Sequence, residues 1–193
     1  MGYWAWTYFD DDGTIVFQDR ESNKNTYGNS KQFNSHVDNY TIVDIETSGF
    51  SRNYDDIIEI ACLKIRNDKV VDDFEMIIKL DQLDSIPNKI KNLTGITDEM
   101  VAQGKDIDYA LKSFLTFLED DVIVGHNITF DIGFLSCKID KFLNCDFEVP
   151  YVDTLSLSRQ KFINFNTHKL SFLSQALNLN KKSSHRALND CYA

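Results

Sequence analysis

The sequence predicts a mixed α/β domain: a five-stranded central sheet flanked by helices and preceded by a β-hairpin. Three observations lead there. Apolar runs at Tyr40–Glu46, Ile57–Arg66 and Val70–Lys79 are joined by short polar segments, the pattern of a three-strand antiparallel meander. Two further apolar runs, Val122–Val124 and Val149–Val152, each lead into residues at helical spacing, as parallel strands with helical connections do. Near the N-terminus, Trp4-Ala-Trp-Thr-Tyr-Phe9 and Thr14-Ile-Val-Phe17 flank an Asp-Gly turn at Asp12-Gly13, a strong hairpin signal.

Residues 1–39 are expected to form an N-terminal hairpin extension and linker, either an appendage of the main domain or the end of a separate small module. Residues 18–38 are polar and rich in Asn and Ser, as linkers are. Residues 40–193 form the main domain. Within it, Asn67-Asp-Lys69 is the tight turn between the second and third meander strands. Pro87 opens a short helix that stops near Leu93-Thr-Gly95, and Thr97-Asp-Glu-Met100 reads as the cap of another. Ala110, Leu111, Phe114, Leu115 and Leu118 have helical spacing, which predicts a helix over Tyr109–Leu118. Helices are also predicted at Thr129–Phe142, Thr154–Gln160, His168–Leu177 and Ser184–Ala193. The last ends three residues after Asp190, so the sequence is expected to be an excised domain whose final helix is truncated.

Composition narrows the functional class. Hydrophobic content of 42% and charged content of 26% suit a globular domain. No apolar run approaches the eighteen or so residues of a membrane span, and no leader pattern opens the chain. Met1-Gly2 is not followed by the Ser or Thr that myristoylation needs, since Trp6 stands there. A cytoplasmic protein without membrane partners is expected. The four cysteines, Cys62, Cys137, Cys145 and Cys191, lack C-x-x-C spacing and read as reduced thiols. Net charge of −10 argues against a broad basic surface for duplex nucleic acid. Between Thr154 and Asn189, however, six Lys or Arg (Arg159, Lys161, Lys169, Lys181, Lys182, Arg186) occur without an acid. That stretch is either a chance bias or a basic rim that draws a phosphate strand inward.

Five residues carry the chemical signal. Asp44 and Glu46 are two apart on a predicted strand, so both carboxylates leave the same face beside Ile42, Val43 and Ile45. Two like charges on a mostly buried strand are costly unless cations neutralise them. Asp131 follows a short strand and opens a helix; His185 and Asp190 lie five apart on another. Each has an ordinary alternative: a solvated strand end, an acid that favours a helix dipole, a polar chain end. Together, four carboxylates and an imidazole suit a pair of hard divalent cations and metal-assisted phosphodiester cleavage.

In these motifs the chain resembles the DnaQ-like 3′–5′ exonucleases of the DEDDh type, within the RNase H-like fold. The resemblance covers about Tyr40 to Ala193. It rests on Asp44-Ile-Glu46-Thr-Ser-Gly49, with Ser48 a mild departure from Thr, on Gly125-His-Asn-x-x-Phe-Asp131, and on His185-x-x-x-x-Asp190. Ile57-Ile-Glu-Ile60, Asn92-Leu-Thr-Gly-Ile-Thr97 and Val152-Asp-Thr-Leu155 agree with it. The Leu-Thr-Gly-Ile-Thr run is most similar to the proofreading exonucleases of bacterial DNA polymerase III, the epsilon subunit and the PolC exonuclease domain.

The resemblance implies roles. Asp44, Glu46 and Asp190 would hold the tighter Mg²⁺ or Mn²⁺, with Asp44 bridging to a second ion on which Asp131 acts. The two ions would activate a water and stabilise the leaving 3′ oxygen, and His185 would accept the water's proton. Thr47 and Asn127 would meet the terminal nucleotide. Phe50 and Leu93 would wedge or stack against the last bases, or else are simple core packing. Phe130 is expected to pack. The implied activity is 3′–5′ hydrolysis of single-stranded or frayed DNA ends to 5′-mononucleotides, with a polymerase or helicase as a partner. Two alternatives stay open: an RNA-trimming enzyme like oligoribonuclease or RNase T, and a non-catalytic nucleic-acid-binding module.

Overall fold

Two N-terminal strands, β1 (Trp6–Phe9) and β2 (Ile15–Gln18), pair antiparallel with Trp6 opposite Gln18, as the hairpin signal predicts; the Asp12-Gly13 turn lies outside the described residues. The computed structural model otherwise describes residues 37–80, 85–179 and 186–193.

The main sheet is mixed and five-stranded. Its strands are β3 (Asn39–Thr47), β4 (Ile57–Arg66), β5 (Lys69–Ile77), β6 (Val122–Gly125) and β7 (Tyr151–Asp153), in the order β5-β4-β3-β6-β7. β3, β4 and β5 form the predicted antiparallel meander; β6 lies parallel to β3, and β7 parallel to β6. β3 and β4 are interior strands. β4 is buried along most of its length because both faces are covered, which explains its almost unbroken apolar run. From Tyr40 onward β3 alternates, with odd-numbered residues buried and even-numbered ones partly open. Its register with β4 shifts after Glu46, where Thr47 faces Ile57, so the ladder is irregular beside the acids.

The helices are α1 (Asn88–Thr94), α2 (Asp98–Ala102), α3 (Ile107–Leu118), α4 (Thr129–Leu143), α5 (Thr154–Lys161), α6 (Leu170–Ala176) and α7 (Ala187–Cys191). α3 and α4 cover one sheet face, packing Leu111, Phe114, Ile132 and Leu135 against Val43, Ile45, Ile60 and Cys62. On the opposite face, Ala187 and Cys191 of α7 pack on Ala61, Leu63 and Ile65. α1 and α2 gather around Ile58 at the start of β4. Thr97 caps α2, its hydroxyl accepting the Met100 N–H at 3.3 Å.

Several predicted boundaries move: the third strand ends at Ile77 rather than Lys79, and the helix predicted from Tyr109 begins at Ile107. The last strand begins at Tyr151 rather than Val149, because Pro150 has no N–H to donate; its carbonyl instead accepts the Ile123 N–H at 2.8 Å. α6 begins at Leu170 rather than His168, after Lys169 in an extended conformation. Of the described residues at the C-terminal end, helix begins only at Ala187, and Arg186 is extended with φ −133° and ψ 129°.

Candidate active site

The β3 alternation sends Asp44 and Glu46 to the face that α7 covers, and α7 carries Asp190. Carboxylate oxygens of Asp44, Glu46 and Asp190 all lie within 4.8 Å of one another, although the first two are almost 150 residues from the third. The set is oxygen-only and anionic, which fits a hard divalent cation.

Electrostatics agree with that fit. Burial pushes the Asp44 carboxyl well above its ordinary value of 3.8, and neighbouring Asp131, Glu46, Asp190 and Glu59 push it further. The charged groups acting most on it are all acids. Burial, then Glu59 and Asp190, raise Glu46 to about 7, against a smaller lowering by Arg186. Such a cluster holds its protons until a cation takes their place.

Asp131 sits in the first turn of α4, 5% exposed, and is not one of the three clustered oxygens. Its Oδ1 accepts the Ile45 backbone N–H at 3.1 Å, which fixes the side chain against the strand between Asp44 and Glu46. Burial drives its carboxyl up to about 8, even though that N–H pulls the other way. His185 lies outside the described residues; Arg186, the next residue, is described.

The loop from Ser48 to Asp56 is closely tied. The Ser48 N–H donates to the Asp56 carbonyl, and the Asp56 N–H to the Ser48 hydroxyl, both at 2.9 Å. Lys138 of α4, nearly buried, anchors Asp56 at 2.7 Å. Thr47 is buried, and its hydroxyl donates to the Gly49 carbonyl at 2.6 Å. Phe50 projects from this loop 83% exposed, and Leu93 on α1 is 46% exposed, so neither is core packing. Behind Phe50, Phe130 meets it edge-on at 6.4 Å and also touches Phe134 at 5.0 Å, the packing role expected of it.

The turn after β6 is similarly determined. Gly125 has no room for a side chain, since a Cβ would stand 2.8 Å from the Val43 carbonyl oxygen. Asn127 is exposed with φ 64°, a left-handed conformation that Asn tolerates. Its N–H donates to Asp153 Oδ1 at 2.9 Å, and that carboxylate also caps α5 through the Leu155 N–H at 3.0 Å. His126 Nδ1 lies 3.1 Å from the Thr154 hydroxyl, and burial holds the ring below its ordinary 6.5.

Two residues escaped sequence reasoning. In sequence, Glu59 stands only within Ile57-Ile-Glu-Ile60, and Arg186 only as one of six basic residues. In the structure Arg186 does not join a basic rim: it turns inward to an ion pair with Glu59 at 2.7 Å and Glu75 at 3.0 Å. Arg159, Lys161 and Lys169 are exposed, while Lys181 and Lys182 lie outside the described residues. The available signal for Glu59 was a lone acid inside a long apolar strand.

The mixed five-stranded sheet, with a carboxylate cluster able to hold a metal ion, has the RNase H-like architecture of known exonucleases, and comparison with known proteins identifies the family. The chain matches the family described as Exonuclease (RNase T) over residues 41–193, and it belongs to that family. Its relatives include PolC-type DNA polymerase III of Thermotoga maritima, 38% identical over 151 residues, and of Listeria monocytogenes, 39% identical over 154. Those matches cover 78% and 80% of this chain but 11% and 10% of the relatives, so the chain spans about a tenth of their length. Among solved structures, Escherichia coli Exonuclease I in complex with a dA16 oligonucleotide superposes with a TM-score of 0.71 at 15% identity, over 81% of this chain and 39% of that one. Exonuclease X in complex with 5′ overhanging duplex DNA gives 0.60 at 24% identity, over 79% and 84%. Both share the fold. Among the described residues, no helix is long and apolar enough to cross a membrane.

Proposed function

We infer that the chain is a metal-dependent 3′–5′ exonuclease, acting on single-stranded or frayed DNA ends and releasing 5′-mononucleotides. The carrying observation is the meeting of Asp44, Glu46 and Asp190 oxygens within 4.8 Å. Asp44, Glu46 and Asp190 would hold one Mg²⁺ or Mn²⁺, with Asp44 and Asp131 serving a second. When bound, the ions supply an activated water and stabilise the leaving 3′ oxygen. The chain's own groups do the rest. Asp131 is held in place by the Ile45 N–H. His185 takes the water's proton, a task for an imidazole near neutrality.

Thr47 and Asn127 stand at the sheet end where the acids lie, and meet the terminal nucleotide. Exposed Phe50 and Leu93 stack on or wedge the last bases without regard to sequence, which suits removal of whatever base is terminal. DNA is favoured over RNA because the relatives are DNA polymerases and the solved neighbours were captured with DNA. The same relatives support a replicative polymerase as the working partner and the bacterial cytoplasm as the location.

The test is degradation of matched 5′-labelled DNA and RNA oligonucleotides with Mg²⁺ or Mn²⁺ and with EDTA. The expected result is an EDTA-sensitive ladder shortening from the 3′ end, faster on DNA. An RNA rate about tenfold above the DNA rate reassigns the substrate. Single-strand binding without any EDTA-sensitive cleavage makes the chain a binding module instead. Phe50→Ala, on an exposed side chain, is expected to raise KM for single strands by about tenfold, given about 1–3 kcal/mol per stacked base. Its thermal midpoint should not move; a lower midpoint with unchanged KM assigns Phe50 to packing.

A further inference from the structure

Glu59 is a fully buried carboxylate, 0% exposed, on β4 directly opposite Glu46 and facing α7. Its Oε1 accepts from Arg186 Nε at 3.0 Å and Nη2 at 2.7 Å, and its Oε2 from the Ala187 backbone N–H at 3.0 Å. Arg186 Nη2 also reaches Glu75 Oε1 on β5 at 3.0 Å. One guanidinium therefore ties two strands to the residue that precedes α7.

The position of Arg186 in the chain gives the pair its meaning. Arg186 follows His185 directly, and its carbonyl accepts the Asp190 N–H at 3.0 Å. α7 is five residues long, too short to hold its own geometry. What fixes the Asp190 carboxylate opposite β3 is thus the attachment of α7 at its first turn, together with Ala187 and Cys191 in the sheet-face core. A buried ion pair is a poor source of stability, because desolvation offsets most of its attraction and a well-packed apolar pair serves as well. A bidentate fork does something an apolar pair cannot: it sets both distance and orientation.

We propose that Glu59 and Arg186 are positioning residues, a clamp that places Asp190 against Asp44 and Glu46, so that cation affinity and turnover depend on it. This rests on the exonuclease reading above and deepens it. Neither residue touches the reacting atoms; both act through α7.

Two variants test the clamp. Arg186→Met keeps the aliphatic stem but leaves the Glu59 carboxylate buried without its partner, so it is expected to lower the thermal midpoint. Glu59→Gln/Arg186→Met removes both charges and is expected to recover most of that midpoint. In both, kcat should fall by about 10–100-fold, the usual loss when a group supporting a metal ligand is removed. KM for the oligonucleotide should change by less than about threefold, since no substrate contact is lost. The Mn²⁺ concentration giving half of the cation-induced shift in midpoint should rise by about tenfold. A double variant with wild-type kcat and wild-type Mn²⁺ response overturns the clamp and leaves the exonuclease reading intact. A wild-type protein with neither Mn²⁺-dependent stabilisation nor hydrolysis overturns both.

Discussion

Asp44→Asn is expected to lower 3′-end hydrolysis by about 10³-fold or more while raising the thermal midpoint of the cation-free protein. The two effects have one source. Asp44 is partly buried among Asp131, Glu46, Asp190 and Glu59, so in the absence of a cation its ionisation is opposed from several sides. Asn keeps the shape and one oxygen and never ionises, so the gain in midpoint should appear at pH values high enough to take the proton from the wild-type carboxyl. Each kcal/mol of repulsion relieved is worth about 2–4 °C in a domain of this size. With a divalent cation present the order reverses: the wild type gains a ligand that Asn supplies poorly, and the variant's midpoint should respond much less to Mg²⁺. Opposite signs matter here, because an acid that merely supported the fold would lose activity and stability together. Activity within about tenfold of wild type, or a lower cation-free midpoint, would remove Asp44 from the site.

The parts of this molecule that were legible in sequence are those set by local pattern. An Asp and a Glu two residues apart in an apolar run must share a strand face, and the meander turns were written in Asn67-Asp68 and the β3–β4 loop. Both Asn67 and Asp68 take positive φ, 50° and 59°, as such a turn requires. What local pattern could not supply was partnership across the chain. Glu59 and Arg186 are separated by 127 positions, and no periodicity announces that one guanidinium will lie on one particular carboxylate. Arg186 falls within a basic stretch because a guanidinium turned inward onto a carboxylate and one left on the surface look alike in sequence. The late start of α7 has the same origin: an extended Arg186 places its guanidinium on Glu59, and the helix begins only afterwards. The Leu93 and Phe50 alternatives were also beyond sequence, since exposure depends on what neighbouring loops leave uncovered.

The cation-free protein is expected to lose stability as pH rises from about 4 to about 8, and Mg²⁺ to restore it mainly at the upper end. Glu46 is raised from 4.5 to about 7 and Asp131 from 3.8 to about 8, both chiefly by burial, and Asp44 is raised well above 3.8. A raised acid binds a proton in the folded state that the unfolded chain has already released. Its stabilising contribution is therefore complete below the unfolded value and is lost as pH climbs through the folded one. Most of that loss should fall between about pH 4 and pH 8 for these groups. Divalent cations bind the deprotonated carboxylates, so at low pH they must displace protons and at high pH they meet charges already exposed. At a free Mg²⁺ concentration about a hundred times its dissociation constant the gain is about 2.7 kcal/mol, or several degrees in midpoint. Thermal midpoints in EDTA and in Mg²⁺ across this range supply the measurement, with proton release on Mg²⁺ addition near neutrality as a second readout. An equal Mg²⁺ gain at both ends of the range, or a cation-free midpoint that climbs with pH, would mean that these acids do not share one field and do not converge on a common ion.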